Sequence, residues 1–89
     1  MSEQKFQKKI IDALERKGYY VLKLMKTNKN GIPDLLALKN DHIFFLEVKT
    51  EKGVVSPLQE YRINELNNLG FDAKIIKPST LTKILNQND

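Results

Sequence analysis

Asp34, Glu47 and Lys49 are the residues of this sequence whose types and spacing carry chemistry. Twelve residues separate the two carboxylates, forming two apolar runs on either side of Asn40-Asp41, a polar pair suited to the left-handed backbone of a tight turn. With those two residues as the turn, Lys39 faces His42, Leu36 faces Phe45 and Asp34 faces Glu47. Counting from the turn makes the last pair a non-hydrogen-bonded one, in which opposed Cα atoms lie roughly 4.5 Å apart and the side chains share a face. Lys49 projects from the same face at the same end. Like charges set beside Leu36, Leu38, Ile43 and Phe45 destabilise a sheet unless something neutralises them. A hard divalent cation would do so, with the Lys49 ammonium standing beside the carboxylates. The competing reading is an ordinary hairpin whose charged residues sit at a solvated end.

The elements around the hairpin must hold that end in place. Its second face, Leu35, Ala37, Phe44, Leu46 and Val48, is apolar too, so both faces need cover from helices or from a second subunit. From Ser2 to Lys17 the spacing of Phe6, Ile10, Ile11, Ala13 and Leu14 predicts an amphipathic helix with Ser2 as N-cap. Glu3 falls on the apolar stripe of that helix, between Ile10 and Leu14, and so points toward the sheet. A carboxylate aimed inward needs a partner, which a metal site or a basic group could supply; a frayed first turn is the alternative. Gly18 ends the helix, and Tyr19 to Leu24 reads as the first strand. The polar loop Met25 to Gly31 brings Lys26 and Lys29, with Lys23 nearby, beside the Asp34 end of the hairpin, where backbone phosphates would be welcome; an ordinary solvated loop is the competing and commoner reading. His42 belongs to the turn, far from Glu47.

After the link Thr50 to Val55, Ser56-Pro57-Leu58-Gln59 opens a second helix with Ser as N-cap and Pro at the first helical position. Leu58, Ile63, Leu66 and Leu69 share one face of it, and Gln59 and Arg62 lie within the same arc. A capping box explains Gln59, while its inward direction also suits a role at the carboxylates. Arg62 joins Lys26 and Lys29 as a candidate contact to backbone phosphates. Gly70 stops the helix, Phe71 to Ile76 makes the last strand, Pro78-Ser79 starts a short helix, and Asn86 to Asp89 reads as a disordered tail. The order α-β-β-β-α-β-α describes one α/β domain over residues 1–89, a mixed sheet flanked by helices.

Composition narrows the chemistry further. The 15 Lys and Arg residues against 11 Asp and Glu give a net charge of +4, which favours a polyanionic partner. With no cysteine there are no disulfides or thiolate metal sites, and with one histidine the available ligands are hard oxygens. No stretch has the length and apolar continuity of a membrane span or signal peptide, so the expected compartment is the cytoplasm, that of a host if the gene is viral, with no membrane partner. A chain of 89 residues buries only roughly 60 to 65 per cent of its unfolded surface, and dimerisation would add to that.

Gly31-Ile-Pro-Asp34, Glu47-Val-Lys49 and Ser56-Pro-Leu-Gln59, in this order, resemble the VRR-NUC family of the PD-(D/E)XK nuclease superfamily. The likeness runs from Glu3 to about Lys77 and implies a restriction-endonuclease-like fold. It implies a Mg²⁺-dependent deoxyribonuclease, with Mn²⁺ able to substitute. Asp34, Glu47, the backbone carbonyl of Val48 and Glu3 would be metal ligands, Lys49 and Gln59 catalytic partners. The stand-alone members are small, structure-specific DNA nucleases, so the resemblance makes a resolvase of branched DNA such as Holliday junctions the leading reading, with flap or non-specific duplex cleavage behind it; one site per small domain would then require a homodimer to cut two strands symmetrically. The alternative from a different class is a non-catalytic basic module that keeps the fold and grips nucleic acid or a protein.

Overall fold

The computed structural model describes residues 1–86. Its elements are α1 (Glu3–Arg16), β1 (Tyr20–Lys23), β2 (Leu35–Lys39), β3 (His42–Val48), α2 (Pro57–Asn68), β4 (Asp72–Ile76), a 3₁₀ turn at Pro78–Thr80 and α3 (Leu81–Asn86). Asn86 thus closes a helix, and the rest of the expected disordered tail lies outside the described residues.

The four strands lie in sequence order, so the β2–β3 hairpin is the central pair of the sheet. Strands β1, β2 and β3 are antiparallel neighbours, whereas β4 runs parallel to β3 and α2 makes the crossover that a parallel pair requires. The hairpin register is the expected one: Lys39 opposite His42 and Leu36 opposite Phe45. Asn40 takes the left-handed conformation at φ 53°. Asp41 does not share it, so one residue absorbs the unusual backbone of the turn.

The two faces of the sheet are covered unequally. Leu35, Ala37, Phe44, Leu46 and Val48 are completely buried in one cluster with Phe6, Ile10 and Leu14 of α1, Ile76 of β4 and Ile84 of α3. On the opposite face Ile63 of α2 and Ala73 of β4 are buried outside that cluster, and α2 packs chiefly on β4. The remainder of this face stays open. Tyr20 and Leu22 of β1 are 66% and 39% exposed and Ile43 of β3 is 37% exposed. The α2 apolar arc is only half used, because Leu58 and Leu69 stand in solvent while Ile63 is buried.

Local signals explain the ends of the helices. Ser2 accepts from Lys5 N at 3.2 Å, and Gly18, at φ 91°, turns the chain after the last turn of α1. Lys39, reaching across from β2, donates to the Lys17 carbonyl at 2.7 Å and so satisfies an acceptor at the negative end of that helix.

Candidate metal and nucleic-acid site

The ladder between β2 and β3 ends at Leu35 opposite Leu46, and the same register carried one step further sets Asp34 opposite Glu47. The Asp34 carbonyl points to the other neighbour, accepting from Leu24 N at 2.8 Å. Toward β3, Asp34 therefore offers a side chain instead of a ladder bond: its Oδ2 accepts from the Val48 amide at 2.9 Å. The fully buried Pro33 fixes the chain just before it.

Glu47 is the one buried charged residue among the described residues, with 1% of its side chain exposed. Its Oε2 faces Lys49 Nζ at 3.7 Å, and the Lys49 side chain is itself 13% exposed. Gln59 Nε2 donates to the same oxygen at 3.2 Å. Oε1 has no donor. Burial, and after it the negative charge of Asp34, push Glu47 from 4.5 up to about 8, against the opposite pull of Lys49; the charge of Glu3 adds to the rise. Two carboxylates set opposite each other repel when both are ionised, and a cation between them would satisfy the orphaned oxygen. An oxygen pair of this kind suits a hard divalent ion.

Gln59 serves the helix and the site together. Ser56 and Gln59 form a capping box, in which Gln59 Oε1 accepts from Ser56 N at 3.0 Å and Ser56 Oγ accepts from Gln59 N at 3.1 Å. Its amide nitrogen remains free to hold Glu47, so the two roles that compete in the sequence coexist in one rotamer.

Glu3 is exposed, and no group of three or more His, Cys, Asp or Glu side chains that could hold a metal occurs among the described residues. Position Glu3 thus acts on Glu47 through its charge, and the inward direction expected of it is corrected: it stands in the first turn of α1, where solvent reaches it. Arg62 also differs from expectation. Its Nε donates to the Asn30 carbonyl at 2.9 Å and its Nη1 to Glu65 at 3.1 Å, leaving 17% of the side chain exposed. These internal partners occupy the guanidinium that was expected to face DNA.

Lys26 and Lys29 are exposed on the loop between β1 and β2. With Thr27, Asn30, Gly31 and Asp34 they line a cleft of about 330 Å³. A second groove, of about 760 Å³, runs between α1 and the end of β1, past Gln4, Gln7, Lys8 and Lys23, and also reaches Asp34. Lys8 is the basic residue on this path that sequence patterning passes over; its place four residues before Asp12, with which it pairs at 3.0 Å, is the available signal. His42 stays at the turn, where its Nδ1 lies 3.1 Å from the Tyr19 hydroxyl.

A solved structure of a VRR_NUC domain superposes with a TM-score of 0.82 at 25% identity, covering 94% of each chain. A crossover junction endodeoxyribonuclease of Sulfolobus islandicus rod-shaped virus 1 is 32% identical over 63 residues, 68% of this chain and 52% of that protein. UPF0102 proteins of Thermotoga neapolitana and Thermotoga maritima are 33% identical over 64 residues and 36% over 61, covering 72% and 68% of this chain and 60% and 56% of theirs. The chain therefore spans only 52% to 60% of the length of these relatives. The VRR-NUC domain matches residues 1–79, and with the fold and the Asp34–Glu47 pair in place, the chain belongs to the VRR-NUC domain family.

Proposed function

We propose that this domain is a metal-dependent DNA endonuclease that hydrolyses phosphodiester bonds in branched DNA such as Holliday junctions. The observation that carries the reading is the buried Glu47 carboxylate, one oxygen without a donor, set beside Asp34. Asp34 and Glu47 would hold Mg²⁺ or Mn²⁺, with the backbone carbonyl of Val48 as a further ligand and Glu3 adding negative charge. The chemistry such a cation supplies is polarisation of the phosphoryl oxygen and a lowered pKa for water. Lys49, fixed beside Glu47, stabilises negative charge developing on the phosphoryl oxygens. Gln59 sets the orientation of the Glu47 carboxylate, and Lys26 and Lys29 bind backbone phosphates in the cleft that leads to Asp34. The name of the viral relative, a crossover junction endodeoxyribonuclease, supports a branched substrate.

Two strands are cut symmetrically only by two sites, and one domain has one site, so the active form is a C2 dimer. Its interface is the open sheet face. Register places Tyr20, Leu22, Leu36, Leu38, Ile43 and Phe45 together on the Glu47 side, without a charged side chain among them. An uncharged apolar face is self-complementary and unsuited to DNA.

Labelled four-way junction, fork and linear duplex, incubated with the protein with and without Mg²⁺ or Mn²⁺, test this reading. Metal-dependent product, greatest on the junction, is the expected result. Binding with no product under any condition would instead establish the non-catalytic module.

A further inference from the structure

We infer that Arg62 is a positioning residue that makes the lysine loop and the carboxylate-orienting glutamine move as one unit. The inference rests on the nuclease reading above and adds a coupling to it. Two contacts form a seam between the loop and the first turns of α2. Arg62 Nε donates to the Asn30 carbonyl at 2.9 Å, and Glu65, accepting from Nη1 at 3.1 Å, fixes the plane of the guanidinium. Next to Asn30, Gly31 has φ 79°, and a Cβ on it would lie 2.6 Å from Leu58 Cγ and 3.3 Å from the Leu58 carbonyl carbon. Only glycine permits this approach of loop to helix. Leu58 is the residue before Gln59, whose amide holds Glu47.

The seam thus links the two halves of the site. On the loop side are Lys26 and Lys29, exposed along the cleft that ends at Asp34. On the helix side is Gln59, with Ser56 fixing its oxygen and Glu47 receiving its nitrogen. A phosphate drawn into the cleft pulls on the loop, and Asn30–Arg62 and Gly31–Leu58 join that loop directly to α2. Loading of the lysines is thereby felt at the Glu47 carboxylate before any bond is cut. Such coupling is a free energy between two places, and it disappears when the connecting element is cut.

The test compares the parent protein with Arg62→Ala, Gly31→Ala and Lys26→Ala, at temperatures well below their melting transitions. In metal-free protein, the side-chain amide resonance of isotopically labelled Gln59 shifts in the parent when short duplex DNA is added. In Arg62→Ala that shift is lost, although the DNA still binds. Affinity measured across a salt series keeps its slope in Arg62→Ala, because no phosphate contact was removed, while Lys26→Ala lowers the slope by about one. Single-turnover cleavage at saturating protein falls roughly ten- to a hundredfold in Arg62→Ala. Gly31→Ala, which opens the same seam from the loop, reproduces this behaviour if the first variant fails to fold.

A reduced salt slope with normal cleavage at saturation would make Arg62 a direct phosphate contact and overturn the inference. A Gln59 resonance that still responds to DNA in Arg62→Ala would overturn it as well. A parent protein that cuts no DNA with either metal would defeat the nuclease reading and this inference with it. A parent that cuts, beside an Arg62→Ala that cuts equally fast, would defeat the inference alone.

Discussion

Gln59 Nε2 donates to Glu47 Oε2 at 3.2 Å while its Oε1 accepts from Ser56 N at 3.0 Å, so a single side chain caps α2 and aims a carboxylate. The two roles separate by substitution. Gln59→Glu keeps an acceptor for the capping box and favours the helix dipole, but it replaces the donor to Glu47 with negative charge. Below about pH 8, where the Glu47 carboxyl keeps its proton, the variant's melting temperature should stay near that of the parent while cleavage falls by roughly a hundredfold. Gln59→Ala loses both roles and should in addition be destabilised by about 1 kcal/mol. Thermal melts alongside single-turnover cleavage check the pair. Equal cleavage in Gln59→Glu and the parent would confine the residue to the cap.

Glu47 makes the metal-free protein sensitive to pH. Its carboxyl is pushed up to about 8 in the fold from an ordinary 4.5, chiefly by burial and next by Asp34. The folded state holds that proton more tightly than the unfolded state does. The resulting stability is fully present below the unfolded value and is lost as the pH rises through about 8. In EDTA, melting temperature should therefore drop between weakly acidic and weakly alkaline buffer. Glu47→Gln should flatten that drop, and Mg²⁺ should reverse it at the alkaline end by binding the ionised pair. An unchanged drop in Glu47→Gln would show that other groups cause it.

The open sheet face gives a prediction about assembly. Leu22→Glu or Ile43→Glu places a charge on a face where each residue is already more than a third exposed, so the monomer should lose little stability. Light scattering should show the mass falling from two chains to one, with coordinated cutting of both junction strands lost while nicking of a single strand survives. A parent protein that is monomeric while cutting both strands would remove this face from the account.

Period-2 patterning and one turn dipeptide made the centre of the sheet legible, because shifting the register by one residue would have reversed every side chain of Leu35–Lys39 and His42–Val48. The placement of Asp34, Glu47 and Lys49 followed from that register. Helix arcs carried less information. Leu58 and Leu69 lie on the same arc as Ile63, yet β4 covers only part of it, and coverage depends on how α2 crosses the sheet. Glu3 takes the solvated first-turn position that its spacing left as the alternative, because a residue in the first turn has no preceding turn to hold it against the sheet, and only its charge is felt at Glu47. The inward direction of Arg62 was legible from its arc but its partner was not: the Asn30 carbonyl is a backbone atom 32 residues away that carries no sequence signature.

The most direct test of the whole account is single-turnover cleavage of a labelled four-way junction by Asp34→Asn in Mg²⁺, with junction affinity measured in parallel without metal. Asp34→Asn preserves the acceptor for the Val48 amide while removing the charge that a cation would need. The parent should cut in Mg²⁺ and not in EDTA, and the variant should bind the junction with similar affinity but leave it intact. Cleavage by Asp34→Asn at the parent's rate would contradict the account.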